Sequence, residues 1–307
     1  MSNLATQHIT HDRGLGSAYE RYCFYQMVEA WADAYEIGSA LEGPVDGMAG
    51  IAGVHCVGLA RRGIRVVSAV ATAEKGDIAR AVYAEAAPNS GAEVRVVADP
   101  MRAHDLPISD LVIAYHSLPL VGDWRAYLKQ LARLARKVLI VTVCNPDNWG
   151  VALIRNVGKL RGIGGLEPPA VWHKETLAPA LWELGRVREH VYFDAPWWPD
   201  LQVSAGQSLL DRTKQLLRQK KKSVAFTASE DGAALAQRYV YGAPNWPYFG
   251  GTSWSNELLP ALLRHPGFDG TRSKLASRIA HLHGFVVDMR PRTPQAKRRI
   301  AQSMPNA

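Results

Sequence analysis

Residues 36–63 contain several glycines and one acid that could contact a nucleotide-like ligand. A short apolar run, 37–41, ends on Glu42, and a loop with Gly43, Gly47, Gly50 and Gly53 follows. Because glycine has no Cβ, such a loop lets backbone N–H groups approach a ligand closely. The segment closes on Gly63 after two arginines, the pattern of a helix that ends in a left-handed glycine. Strand, glycine-rich turn and helix are therefore predicted here.

Further residues able to contact a ligand follow other apolar runs. Four such runs predict strands at 64–70, 93–97, 110–115 and 137–143. Thr72 follows the first of these runs, Ala98 and Asp99 follow the second, and Tyr115 and His116 end the third. Amphipathic spacing predicts helices over 72–87 and 124–134, between the strands.

This alternation of strands and helices predicts a doubly wound, mostly parallel sheet, because crossovers between parallel strands are right-handed. Ligands of such sheets lie outside the carboxyl ends of the strands. The strand-end residues named above are therefore expected to be neighbours. Two late runs, 188–193 and 281–288, predict closing strands, of which the last is antiparallel, so that the sheet has seven strands.

The expected organisation has five parts. Residues 1–35 form an N-terminal helical cap with a capping-box pattern at Ser17 and Glu20. Residues 36–150 form the Rossmann-like core, and 151–193 with 281–290 complete its sheet, including a helix over 175–184. Residues 194–280 form a helical insertion rich in tryptophan and proline, with helices near 207–221, 230–239 and 272–280. A basic tail occupies 291–307.

Composition narrows the function classes. The chain has 307 residues, 47% of them hydrophobic, and three widely spaced cysteines that predict neither a disulfide framework nor a zinc site. No signal peptide and no membrane-spanning run is visible, so a cytoplasmic protein is expected. The formal charge is +8, part of it within 212–222 and 290–299. A solvated helix face and tail explain these runs, and nucleic-acid binding through 212–222 is the alternative.

The arrangement over residues 36–146 resembles the class I S-adenosylmethionine-dependent methyltransferases. The family ends its first strand on an acid followed by a glycine-rich loop, as Glu42 and Gly43 do here, with Asp46, Gly47 and Gly50 further along. The resemblance implies S-adenosyl-L-methionine as cofactor, held by backbone N–H groups near its carboxylate and by an acid near its ammonium group.

Other strand ends match family positions as well. Asp99, after Ala98, stands where the family often has an acid that bonds the adenine amino group. The stretch from Tyr115 to Leu118 matches the segment that lines the methyl-transfer end. One position departs from the pattern, since the second strand is followed by Ala71 and Thr72 where the family has a ribose-binding acid. Either Thr72 or Glu74 is the expected substitute, or cofactor binding is weakened or lost.

The resemblance implies methyl transfer to an acceptor. Transfer from a sulfonium depends on in-line positioning, and a base is needed only if the acceptor must lose a proton. His116 is the best-placed candidate for that base, and a polar lining role is the alternative. The segment 116–119 lacks the motif of base-modifying enzymes, so nucleic acid is not the expected substrate. The aromatic insertion favours a small-molecule acceptor.

Two other functions stay open. A catalytically silent relative that serves as a binding or scaffolding subunit is the first. A dehydrogenase is the second, but Gly47, Gly50 and Gly53 do not have the G-x-G-x-x-G spacing, and the acid expected about 20 residues later is missing.

Overall fold

The computed structural model describes residues 15–44, 52–160, 167–194 and 275–291. The strands in these ranges are β1 (Ser39–Glu42), β2 (Arg65–Val70), β3 (Glu93–Val96), β4 (Ser109–Tyr115), β5 (Ala135–Cys144), β6 (Arg186–Phe193) and β7 (Leu282–Asp288). The helices are α1 (Leu15–Ala34), α2 (Val57–Arg61), α3 (Ala73–Ala86), α4 (Trp124–Leu134), α5 (Trp149–Leu160), α6 (Lys174–Leu184) and α7 (Ala276–Ile279). Short 3-10 turns cover Pro100–Asp105, Leu118–Leu120 and Ala170–Trp172.

The strands form one sheet in the order β3-β2-β1-β4-β5-β7-β6. The pairs from β3 to β5 are parallel, and β7 runs antiparallel to both β5 and β6. The seven-stranded, mostly parallel sheet with an antiparallel last strand is thus confirmed. The strand order reverses between β1 and β4, which places the switch point of the sheet at the end of β1.

The core follows from the pattern of the strands. The central strands β1 and β4 are buried at every residue, as expected for strands covered on both faces. Helix α4 buries Tyr127, Leu128, Leu131 and Leu134 on one side, which confirms its predicted amphipathic pattern. The outer strand β3 is partly exposed because it has only one neighbour.

Helix α2 ends as its sequence predicts. Gly63 has a φ of +79°, and its N–H donates to the carbonyl of Ala60 over 3.0 Å. The N–H of Ile64 donates to the carbonyl of Leu59 over 3.1 Å. These two bonds form a Schellman motif, in which a left-handed glycine closes the helix and leads the chain directly into β2.

One local prediction was wrong, and one helix was missed. Helix α1 already includes Leu15, so Ser17 lies inside the helix instead of capping it. Helix α5 was not predicted. Its buried residues are Gly150, Val151 and Gly158, and glycine lowers helix propensity. Its large apolar residues at helical spacing, Trp149, Leu153, Val157 and Leu160, are exposed.

Parts of the predicted organisation lie outside the described residues, namely 1–14, the helices near 207–221 and 230–239, the aromatic part of the insertion and the tail beyond 291. The helix expected over 272–280 is represented by the shorter α7. Within the described ranges, the helices are all too short or too polar to cross a membrane.

The two described ends of the insertion meet at the carboxyl edge of the sheet. The N–H of His281 donates to the carbonyl of Asp194 over 2.9 Å, and Nδ1 of His281 lies 3.1 Å from the carboxylate of Asp194. Both residues are buried. The chain therefore leaves the sheet after β6 and returns before β7 at one point.

Candidate functional site

Strand β1 stops short of its neighbours. Its last residue, Glu42, pairs with Ser68 of β2 and Ile113 of β4. Both neighbours continue for two more residues, to Val70 and Tyr115. The carboxyl edge therefore steps back by two residues at Glu42, and this step, here called the recess, lies at the switch point where ligands of such sheets bind.

The carboxylate of Glu42 is engaged inside the chain. Its Oε1 accepts from the N–H of Gly53 over 3.1 Å and lies 2.7 Å from Nδ1 of His55. Its Oε2 accepts from the backbone N–H of His55 over 3.0 Å. Glu42 is only 6% exposed, so these three contacts tie the far end of the glycine-rich loop to the end of β1.

Gly53 is the described glycine of this loop that needs to be glycine for conformational reasons. It has a φ of +76°, and a Cβ at this position would lie 2.7 Å from Cγ1 of Val70. The backbone therefore packs directly against the end of β2, which brings Val54 and His55 over the recess. Gly43 was also predicted in the loop, but a Cβ there would meet Oη of Tyr127 at 2.7 Å, so this glycine serves packing against α4.

His55 is a residue of the site that the sequence reasoning missed. Its ring is 1% exposed and stacks on the ring of Tyr115, with centroids 4.0 Å apart. Phe24 of α1 meets it edge-on at 5.8 Å. The signal in the sequence is its position two residues after Gly53, at the start of the helix that follows the loop.

Helix α1 covers this end of the sheet. Phe24 packs on Tyr115 with centroids 4.5 Å apart and on Phe193 at 6.1 Å. Tyr25 donates through its hydroxyl to the carbonyl of Val54 over 2.5 Å. The hydroxyl of Tyr115 donates to the carboxylate of Glu20. The N-terminal helix therefore contacts the end of β4, the exit of the loop and the end of β6.

His116, the predicted catalytic residue, lies just after β4 with a φ of +50°. Its N–H donates to the carbonyl of Thr142 over 3.1 Å, and its ring stacks on Tyr115 at 4.5 Å. Nδ1 lies 3.8 Å from Sγ of Cys144. Burial, with smaller contributions from His55 and His283, lowers the pKa of His116 to about 3. The imidazole is therefore neutral at physiological pH and is a weak proton acceptor.

The predicted nucleoside residues lie on the exposed part of the same edge. Thr72 precedes α3, and its Oγ1 accepts from the N–H of Lys75 over 3.3 Å. Asp99 follows β3, and its Oδ1 accepts from the N–H of Met101 over 2.9 Å. Both residues and Ala98 are exposed. Because β2 and β3 pair through Val70 and Val96, these strand ends are adjacent, while Asp46, Gly47 and Gly50 lie outside the described residues.

A second group of histidines, His190 and His283, lies on β6 and β7. Nε2 of His283 lies 2.7 Å from the carbonyl oxygen of Trp172 and therefore donates to it. Nδ1 of His283 then accepts from Nε2 of His190 over 2.9 Å. Burial lowers the pKa of His283 to about 3 and that of His190 to about 4. In the described part of the chain, no group of three or more potential ligand residues is placed to hold a metal ion.

Searches for related proteins give results at the level of structure. No protein-family model matches the chain. No curated protein matches it either. Magnesium protoporphyrin IX methyltransferase (ChlM) from Synechocystis PCC 6803 with bound SAH is 18% identical with a TM-score of 0.45, covering 59% of this chain and 79% of that chain.

Two further solved structures are similar to a comparable degree. A SAM-dependent methyltransferase from Thermotoga maritima, described as a possible histamine N-methyltransferase, is 17% identical with a TM-score of 0.38, covering 58% of this chain and 77% of that chain. The (4+2)-cyclase SpnF is 13% identical with a TM-score of 0.40, covering 87% of this chain and 80% of that chain. At these identities the likeness concerns architecture alone.

The fold class itself follows from the strand order in the chain. A doubly wound sheet with the order β3-β2-β1-β4-β5-β7-β6 and an antiparallel β7 confirms the fold that the resemblance implied, a Rossmann-like methyltransferase fold. Fold does not determine function, so the activity has to be argued from the residues of the edge.

Proposed function

We propose that this protein is an S-adenosylmethionine-dependent methyltransferase that acts on a small molecule. One observation carries this proposal. The sheet brings an exposed hydroxyl, Thr72, and an exposed carboxylate, Asp99, to adjacent strand ends, next to a recess at the switch point of the sheet. Ligands of doubly wound sheets bind at that place.

The hydrogen-bonding groups at these strand ends fit the adenosine part of the cofactor. Oδ1 of Asp99 is used by Met101, and Oδ2 has no hydrogen-bond partner among the described residues, so it can accept from an amino or hydroxyl group. Thr72 accepts through Oγ1 from Lys75, which leaves its O–H to donate. A nucleoside offers complementary groups to both. When bound, the cofactor supplies a methyl group on a sulfonium centre.

The amino-acid end of the cofactor needs other residues than the sequence suggested. Glu42 was expected near the ammonium group, yet it is buried and accepts from Gly53 and His55. We assign it to shaping the loop, which leaves Asp46, Gly47 and Gly50 as the proposed contacts for that end. Tyr115 and His116 then lie beside the place where the methyl group would be transferred.

A small-molecule acceptor is favoured by the uncharged state of the two buried histidines. Burial holds the pKa of both His116 and His283 at about 3, so neither imidazole carries a charge at physiological pH. Phe24, Tyr115 and Phe193 add aromatic surface. A polyanionic acceptor such as nucleic acid would gain little from such a lining.

Calorimetry with S-adenosylhomocysteine tests this function directly. The wild-type chain is expected to bind with measurable heat. Asp99→Ala should weaken binding by about 10- to 150-fold, because a hydrogen bond to a charged group is worth roughly 1.5–3 kcal/mol. Gly47→Val should also weaken binding. Asp105→Ala is the matched control, since Asp105 is an exposed acid at the far end of the same 3-10 turn. Absence of heat at high micromolar ligand would count against the function.

A second function, a catalytically silent binding subunit on the same fold, is favoured by one specific observation. The recess above Glu42 is closed by Gly53 and His55, and Phe24 covers them. Such a subunit would give no heat with S-adenosylhomocysteine and would co-purify with a stoichiometric partner. Heat that responds to Asp99→Ala excludes it.

A further inference from the structure

Glu42 fixes the tautomer of His55. A carboxylate accepts hydrogen bonds, so Nδ1 of His55, 2.7 Å from Oε1, carries the hydrogen of that contact. In the neutral ring the other nitrogen, Nε2, is then a bare acceptor. The backbone N–H of His55 also donates to Glu42, which fixes the residue at two points.

Nε2 of His55 is buried and has no hydrogen-bond partner among the described residues. Buried polar atoms without partners are uncommon in folded proteins, and each one calls for a structural or functional explanation. The hydrogen bond from Nδ1 to Glu42 is sufficient to fix the end of the loop, and Nε2 is not needed for it. The bare nitrogen is therefore the part of this side chain that packing does not explain.

The ring lies beside the proposed reaction centre. It stacks on Tyr115, the last residue of β4, and Tyr115 stacks on His116 in turn. The covering residue, Phe24, belongs to α1 and not to the sheet. Phe24 is itself fully buried and also packs on Tyr115 and Phe193.

We propose that His55, oriented by Glu42, is the proton acceptor for a substrate that carries a neutral hydroxyl group. This assignment rests on the function proposed above and narrows its substrate class. The hydroxyl proton passes to Nε2, Nδ1–H stays bonded to Glu42, and the pair changes from one negative charge to none. The hydroxyl oxygen keeps the electron pair of its O–H bond, which then forms the bond to the methyl carbon, while the electrons of the carbon–sulfur bond stay on sulfur.

His55 fits this role better than His116, which the sequence pointed to. The Nδ1 of His116 faces the sulfur of Cys144 at 3.8 Å instead of a carboxylate. A carboxylate on Nδ1 holds the tautomer and stabilises the imidazolium that forms, as in hydrolase triads. Nε2 of His116 also lacks a partner in the described structure, so His116 is left to accept a hydrogen bond without taking a proton.

Binding of para-nitrophenol tests the assignment, because its phenolate form is coloured and its neutral form is not. In full-length protein saturated with S-adenosylhomocysteine, the wild type should convert bound para-nitrophenol to the phenolate. His55→Asn keeps an N–H near the position of Nδ1 and removes Nε2, so the phenolate absorbance should fall at least tenfold. Glu42→Gln should act similarly, because a neutral amide does not stabilise the imidazolium that forms. His104→Asn, at an exposed histidine, is the matched control and should behave as the wild type.

The outcomes separate this assignment from the proposed function. Two results together support the role of His55. The affinity for S-adenosylhomocysteine, measured by calorimetry, is the same within twofold in the wild type and in His55→Asn. The phenolate signal is lost only in His55→Asn and Glu42→Gln. If S-adenosylhomocysteine binds but no phenolate forms, or if His55→Asn gives the same phenolate signal as the wild type, the role of His55 is overturned. The proposed methyltransferase function is not affected by that result. Absence of both heat and phenolate overturns both.

Discussion

Nδ2 of Asn145 donates to the carbonyl oxygen of Ala280 over 2.7 Å and to that of Ser277 over 2.8 Å. Both carbonyls lie at the end of α7, where helical carbonyls have no partner in their own helix. The N–H of Asn145 also donates to the carbonyl of His281 over 2.8 Å. The turn after β5 thus holds the segment that returns from the insertion and enters β7.

Substitution of Asn145 should therefore destabilise the whole sheet. Asn145→Ala removes two side-chain hydrogen bonds, each worth about 0.5–1.5 kcal/mol, so we expect the free energy of unfolding to fall by about 1–3 kcal/mol. The carbonyl of Ala280 still accepts from Nδ2 of Asn148 over 3.1 Å. Asn145→Asp should cost more, because a carboxylate oxygen would then face the two carbonyls. Urea denaturation measures both, with the exposed neighbour Asp147→Asn as control. Equal stability of Asn145→Asp and the wild type would show that these contacts do not form.

Two buried histidines, His116 and His283, and the partly buried His190 should make the protein unstable in acid. The pKa values of His116 and His283 lie at about 3 and that of His190 at about 4, below the ordinary value of 6.5, mainly because burial disfavours the charged ring. Between pH 6.5 and these values the unfolded chain binds more protons than the folded one. Stability is therefore complete above about pH 6.5 and falls as the pH drops, by at most about 1.4 kcal/mol per pH unit for each histidine.

Urea denaturation at a series of pH values checks this slope. His190→Gln, at the most exposed of the three, should flatten the slope below pH 6. His104→Gln, an exposed histidine, should leave the slope unchanged. A slope that is the same in all three proteins would mean that the buried rings do not control acid stability.

Most of the fold was accessible from the sequence because burial on both faces leaves long apolar runs. Strand β5 was predicted at 137–143 and spans Ala135–Cys144, and β4 was predicted at 110–115 and spans Ser109–Tyr115. Helix α5 was missed although Trp149, Leu153 and Val157 repeat at helical spacing. This apolar stripe is exposed, and the buried side contains two glycines, which are poor helix formers.

The candidate site was only partly accessible for a different reason. Glu42, Thr72, Asp99 and His116 follow strands, and the topology alone brings strand ends together. His55 was missed because its role depends on a hydrogen bond to Glu42 across 13 residues, which no local pattern encodes. The low pKa of His116 likewise arises from burial and from its neighbours in space.

Gly53 should tolerate alanine less well than Gly63. Both glycines have a left-handed φ, +76° and +79°, so alanine at either position costs about 1–2 kcal/mol in backbone strain. At Gly53 the new Cβ would also lie 2.7 Å from Cγ1 of Val70, whereas at Gly63 nothing lies within 4 Å. Overpacking of this kind typically costs a further 1–3 kcal/mol or so. Urea denaturation of the two variants measures the difference, and equal losses would contradict the close packing of Gly53 on β2.

A substitution in α4 should reduce the loss of stability caused by alanine at Gly43. A Cβ at Gly43 would lie 2.7 Å from Oη of Tyr127 and 3.2 Å from the carbonyl oxygen of Ile113. Gly43→Ala should therefore lower the free energy of unfolding by about 1–3 kcal/mol. Tyr127→Phe removes the hydroxyl that the new methyl group meets, so the double variant should be more stable than the sum of the single changes by roughly 0.5 kcal/mol or more. Urea denaturation of all four proteins completes the cycle. Strict additivity would place the cost of Gly43→Ala in the contact with Ile113 instead of Tyr127.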